Sequence, residues 1–275
     1  MFGAMKRRVL AMLRCLKDLE RYKVSATDGN IGSVVDFFLD DEHWAVRYLV
    51  VETGSFLNDR QVLISPISFR QVDWSTKRFH LALTMDKVKD SPSIDVDKPV
   101  SRQHERDYYR YYGIPYYWGS SWFWGAGAYP GLLAAREWNE TPADLPDQSC
   151  DCHLRSANEV RGYHIQGTDQ AIGHVEDFIV DDETWAIRYL VIDTSNWWLG
   201  KRVLIAPHWA TTVSWEQKNV CVGLNRETIK ESPEWSERTA INRDYETRLY
   251  KHYGRPAYWD DGERRARVPP PHHHA

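Results

Sequence analysis

Cysteine is scarce: four residues, Cys15, Cys150, Cys152 and Cys221, in a chain of 275. So small a number sets no disulfide framework for a chain this long, and the sequence reads as one with free thiols in a reducing compartment. Long apolar runs are absent too; none approaches the roughly 20 residues that a membrane-crossing helix needs. Neither sign of charge is in excess. With 35 basic and 39 acidic residues the formal net charge is −4, which disfavours nucleic acid as a partner, because binding a phosphate backbone calls for a basic surplus. Signatures of chemistry are missing as well. There is no Gly-x-Ser-x-Gly elbow and no phosphate-binding glycine loop. Cys150, Cys152 and His153 offer one thiol pair where a zinc site draws on two separated pairs. The sequence therefore assigns no catalytic residue, cofactor or metal, and the expectation is that the chain is not an enzyme. Residues 1–16 place Lys6, Arg7 and Arg8 before an apolar run too short for a secretion signal, with no small-residue cleavage site after it. They read as an N-terminal extension, with the functional start near Met12.

What the sequence does hold is a copy of itself. Shifted by 141 residues, positions 13–118 fall on positions 154–259 without a gap, and 39 of the 106 are identical. Asp40-Asp41-Glu42-His43-Trp44-Ala45-Val46-Arg47-Tyr48-Leu49-Val50 returns as Asp181-Asp182-Glu183-Thr184-Trp185-Ala186-Ile187-Arg188-Tyr189-Leu190-Val191. Ile31-Gly32 returns as Ile172-Gly173, and Val62-Leu63-Ile64 with Pro66 as Val203-Leu204-Ile205 with Pro207. Solenoid repeats run at about 20–50 residues, so this period marks a duplicated domain. The reading gives a first repeat at 13–118, a linker at 119–153, a second repeat at 154–259 and a disordered tail at 260–275. No cysteine is matched by a cysteine in the other repeat, which again speaks against duplicated disulfides.

Within the first repeat, apolar and β-branched residues come in short runs broken by turn residues. Residues 22–26, 31–39, 44–51, 61–64, 67–72 and 79–83 read as strands, and a spacing near ten residues predicts a small barrel. Asp36, Asp40, Asp41 and Glu42, with their copies Asp177, Asp181, Asp182 and Glu183, read as a polar hairpin turn. Ser101 and Gly113 bracket a helix as its N- and C-terminal caps, and Pro115 stops it; Asn242, Gly254 and Pro256 do the same in the second repeat. Residues 44–51 are apolar on both faces, so both are expected to be covered. One face would fill the barrel and the other would meet the sister barrel. Candidate interface residues are therefore Trp44, Tyr48 and Val50 with their copies Trp185, Tyr189 and Val191. Arg47 and Arg188 interrupt these strands and predict buried ion pairs, with Glu52 and Asp193 or Asp36 and Asp177 as partners. Trp197 and Trp198, in the loop where the copies differ most, are further candidate interface residues; they suit either a membrane surface or partner or packing on the sister barrel or the aromatic linker.

The Ile-Gly, the Asp-Asp-Glu turn, the Trp-Ala-Val-Arg-Tyr-Leu-Val-Val strand and the Val-Leu-Ile-Ser-Pro stretch resemble the PRC-barrel family. That family is named for the cytoplasmic domain of the photosynthetic reaction centre H subunit and includes a domain of a ribosome-maturation factor. The resemblance implies a mainly β fold: two small PRC-type barrels, each followed by short helices, packed as a pseudo-symmetric pair. It carries no active-site residue, and neither the membrane helix nor the second domain of those relatives has a counterpart here. The expected function is a non-catalytic binding or assembly module that docks on a membrane or ribonucleoprotein complex, with a protein partner and intramolecular pairing of its barrels. Peripheral membrane contact is a further expectation. The alternatives are a peripheral part in photosynthetic or respiratory electron transfer and a role in ribosome or RNA maturation. The expected location is the bacterial cytoplasm, with docking at the cytoplasmic face of the inner membrane.

Overall fold

The computed structural model of the chain describes residues 12–54, 60–92, 100–118, 123–124, 127–134, 154–194 and 201–259. Trp197, Trp198, Cys150, Cys152 and His153 lie outside these, as do residues 1–11 and 260–275.

The fold is mainly β. The first half carries β1 (Leu13–Cys15), β2 (Lys23–Ser25), β3 (Asn30–Asp40), β4 (Ala45–Glu52), β5 (Gln61–Ile64), β6 (Phe69–Asp73) and β7 (Arg78–Leu81). Its helices are α1 (Leu16–Leu19), α2 (Met85–Lys89) and α3 (Arg102–Tyr112), followed by α4 (Pro130–Ala134) in the linker. The second half repeats the series as β8 (Leu154–Ser156), α5 (Ala157–Val160), β9 (His164–Gln166), β10 (Ala171–Asp181), β11 (Ile187–Asp193), β12 (Arg202–Ile205), β13 (Ala210–Ser214), β14 (Asn219–Val222), α6 (Arg226–Lys230) and α7 (Arg243–Tyr253).

Each unit is one bent sheet. Its strands run in the order β5-β4-β3-β2-β7-β6 in the first unit and β12-β11-β10-β9-β14-β13 in the second. The two ends of the first path, β5 and β6, are consecutive in the chain and joined by the 3-10 turn Pro66–Ser68. The shared Ile-Gly is a close backbone approach. A Cβ on Gly32 would lie 1.9 Å from the carbonyl oxygen of Glu52, and one on Gly173 2.0 Å from that of Asp193, so no side chain fits where β3 meets β4. The long helices end as their sequences require. Ser101 Oγ accepts from the His104 amide and Asn242 Oδ1 from that of Tyr245, while Gly113 (φ 65°) and Gly254 (φ 61°) take left-handed caps.

The seventh strand of each sheet comes from the other half. β1 pairs antiparallel with β10, with Leu13 opposite Asp181 and Cys15 opposite Ile179. β8 pairs in the same register with β3, with Leu154 opposite Asp40 and Ser156 opposite Phe38. Three-residue strands this short give no alternation to read, and the exchange was not foreseen from the sequence. It has a clear driving force, because β3 and β10 would otherwise present an open edge at this end. The buried apolar residues of the two units accordingly form one continuous cluster.

Candidate functional site

The most elaborate chemistry among the described residues lies along the seam between the units and behind β4 and β11. At the centre of the seam, Ala45 bridges Ala186, the Val46 amide donates to the Trp185 carbonyl (2.9 Å), and the Ile187 amide donates to that of Trp44 (2.7 Å). These pairs are one another's copies, so a pseudo-two-fold axis passes between the alanines. Trp44 and Trp185 take left-handed backbone angles, φ 51° and 59°, which cost a bulky residue roughly 1–2 kcal/mol. Asp40 and Asp181 support the turns by accepting from the amides two and three residues ahead. Turned this way, each indole enters the other unit. Trp185 packs on Phe69 (5.3 Å between ring centres) and Phe79 (6.0 Å), and Trp44 on Trp215 (6.5 Å).

Charged groups reinforce the exchange. Arg14 on β1 binds Asp182 (2.7 Å) and lies over Trp74; Arg155 on β8 binds Asp41 (3.1 Å) and lies over Trp215. Asp177 accepts from the Lys17 amide at the start of α1, and Asp36 accepts from that of Asn158 at the start of α5. Burial pushes both carboxyls above the ordinary range. Glu20 and Arg161 are equivalent positions that touch, Arg161 donating to Glu20 across the axis.

Tyr48 and Tyr189 do not meet the sister barrel, which corrects the expected interface. Tyr48 faces α3 of its own unit, donating to Glu105 (2.9 Å) and packing on Tyr108 and Tyr109. Tyr189 donates to Glu246 of α7 (2.7 Å) and packs on Tyr250. Val50 and Val191 are buried and share those faces by alternation. The second apolar face of β4 is thus covered by the unit's own helix, and the sister contact is confined to the start of the strand. Glu105 also accepts from Tyr117 (2.8 Å) and pairs with Arg102 (2.9 Å). Tyr258 and Arg243 hold Glu246 in the same way. Burial raises the Glu105 carboxyl despite these donors.

The expected ion-pair partners of Arg47 and Arg188 are likewise corrected. Phe38 opposes Tyr48 while Leu39 opposes Val46, leaving Arg47 as an extra residue in β4; β11 bulges identically at Arg188. The bulge turns each guanidinium away from Glu52 and Asp36 toward Asp40 or Asp181. Arg47 is 0% exposed and donates through Nε (2.9 Å) and Nη2 (2.7 Å) to Asp40 Oδ2. Burial alone would raise Asp40, but Arg47 outweighs it, aided by His43, and holds the carboxyl well below the usual range. Asp181 is lowered by Arg188 against the same opposition. Asp40, Glu42 and His43 bring ligand atoms within 4.8 Å of one another. Because both Asp40 oxygens already accept from Arg47 and the turn amides, a cation there would compete with the guanidinium.

Nothing in the sequence pattern flagged the segment that closes this site. Phe123, in the linker, accepts from Arg47 Nη1 through its carbonyl (2.7 Å). The guanidinium lies 4.0 Å from the Tyr117 ring, 5.1 Å from Phe123 and 4.7 Å from Trp124. Trp124 is wholly buried and its indole N–H donates to the Thr184 carbonyl of the second unit (2.8 Å). A separate cleft of about 360 Å³ opens between β1 and residues 235–241, lined by Arg14, Cys15, Asp18, Tyr22, Trp235 and Glu237 among others.

No curated protein matches the chain. Residues 153–220 match the family model of the PRC-barrel domain, a stretch that takes in the exchanged strand β8 and the Asp181–Arg188 pair, and together with the mainly β fold this match supports reading the chain as a PRC-barrel protein.

Proposed function

We propose that the chain is a non-catalytic binding or assembly module whose two barrels are fused into one body that presents a protein partner with two related but unequal faces. The observation that carries this reading is the use made of the buried acids. Active sites keep perturbed groups open to a substrate. Here Asp36, Asp40, Glu105, Asp177 and Asp181, all displaced from ordinary titration, each hold an amide, an arginine or a tyrosine that fastens one element to another. The PRC-barrel match points the same way. No helix among the described residues is long and apolar enough to cross a membrane. Contact with a membrane complex from the cytoplasmic side belongs to the proposal as a peripheral one.

Affinity capture with the tagged full-length chain, from native lysate split into nuclease-treated soluble and membrane fractions, tests the reading. The expected result is a protein bound in fixed stoichiometry, and its recovery from the membrane fraction would place the partner there. Co-elution of ribosomal proteins would overturn the reading. So would turnover of a metabolite by the purified chain that substitution of cleft residue Asp18 or Arg14 abolishes.

A further inference from the structure

The two arginine sites are copies, yet among the described residues only the first is closed. In the first unit each guanidinium nitrogen of Arg47 has an acceptor: Nε and Nη2 donate to Asp40 and Nη1 to the Phe123 carbonyl. Phe123 is 6% and Trp124 0% exposed. In the second unit Arg188 makes the same bidentate contact with Asp181 Oδ2, at 3.2 and 2.7 Å, over the same tyrosine, Tyr258, at 4.3 Å. There the likeness stops. No carbonyl among the described residues accepts from Arg188 Nη1, and the side chain is 23% exposed where that of Arg47 is 0%. His43, which sets its ring edge-on to Phe123 at 6.3 Å, is replaced by the smaller Thr184. Carried past the end of the repeat, the 141-residue offset sets Arg264 and Arg265 against Phe123 and Trp124, and residues 260–275 contain no Phe, Tyr or Trp.

We infer that the Arg188 face is a docking site for an aromatic segment of a protein partner, bound as the Phe123-Trp124 strap binds Arg47. A backbone carbonyl accepts from Nη1, and an aromatic ring covers the guanidinium beside Tyr258. The first unit supplies the bound geometry. A guanidinium already fixed by Asp181 loses little freedom on binding, so a short motif suffices. A second copy of the chain is a poor donor: its Phe123 and Trp124 are buried in their own unit, and the one large apolar side chain exposed among the described residues is Met12. The inference rests on reading the chain as a binding module and names the place and chemistry of that binding.

The probe is a synthetic peptide of residues 119–131, which contains the strap, titrated calorimetrically into the full-length chain. One peptide is expected to bind per chain. Arg188→Lys keeps the charge on Asp181 but loses Nη1 and the planar face, and should weaken binding by about tenfold or more, the loss of roughly one charge-assisted hydrogen bond. A peptide with alanine in place of both Phe123 and Trp124 should not bind. In the chain labelled at arginine side chains, the Nε–H resonance that the lysine variant removes should be the one that shifts. The shift itself is read on the parent chain, and the variant serves the assignment when its other arginine resonances stay in place. No saturable binding at millimolar peptide, or equal binding by wild type and Arg188→Lys, would overturn the site. Concentration-dependent self-association that the peptide dissolves would overturn the partner and assign the face to a second copy. If the peptide fails while lysate capture yields a stoichiometric partner, only this site falls; if both fail, the binding-module reading falls with it.

Discussion

Cys15 and Ser156 stand at equivalent places on the two exchanged strands. Ser156 Oγ donates to Asp36 (2.5 Å), and Cys15 lies beside Asp177, the copy of Asp36. Burial first, and then the Asp177 carboxylate, pushes the Cys15 thiol far above the ordinary thiol range, so it is a packing residue rather than a nucleophile. The second repeat already shows the better hydrogen-bonding solution. Cys15→Ser should therefore leave stability unchanged or raise it by about 0.5–1 kcal/mol, the net worth of one hydrogen bond, as read by chemical denaturation. A loss of more than about 1 kcal/mol would show that the thiol's size, not its polarity, is what the site requires. Gly32, Gly173, Trp44 and Trp185 recur because backbone contact excludes a Cβ at the first pair and because a left-handed turn aims each indole of the second pair into the neighbouring unit.

At the scale of the element, β4 and β11 were legible as strands apolar on both faces, and the helices behind them were legible from their caps. What covers those faces was not. Alternation alone sends Arg47 and Tyr48 to opposite sides, whereas the bulge brings the arginine to Asp40, seven residues back across the hairpin. A one-residue bulge leaves no mark in a period-two pattern. The linker strap was equally hidden, since 123–124 sit in a glycine-rich stretch without periodicity. These pairs set a direction for acid behaviour. The folded-state pKa of Asp181 is lowered, so between the unfolded and folded values the unfolded chain binds more protons. The stability from this pair is then present above the ordinary carboxylate pKa of about 4 and drains away as pH falls below it. Glu105, Asp36 and Asp177 have raised values and work in the opposite sense, favouring the fold at low pH and losing that contribution as pH rises. Thermal melting from about pH 6 to pH 3 should therefore show a smaller acid loss in Asp181→Asn than in the parent chain. Parallel curves would mean that the Asp181–Arg188 pair does not govern acid stability.

For the whole molecule, the duplication was plain in the sequence and the pairing of the copies followed from it, but the exchange of strands did not. Leu13–Cys15 lies at the start of the first repeat and hydrogen-bonds in the sheet of the second; Leu154–Ser156 does the reverse. The repeat unit and the folded unit are thus offset by one strand at the start of each repeat, and neither half completes its sheet alone. Charge at the axis favours this pairing within the chain. Glu20 meets Arg161 where two like halves would set glutamate against glutamate or arginine against arginine. Strand exchange, a shared core and mutual indole insertion together make the two barrels one body, which is what a module presenting two unequal faces requires. Amide hydrogen exchange on a chain lacking the residues up to Cys15 tests this most directly. The Asp182 amide, which donates to the Met12 carbonyl, and the neighbouring edge of β10 in the second unit should lose protection, while β3 and β4 of the first unit keep theirs. Loss confined to the first unit, with β10 as protected as before, would contradict the exchange.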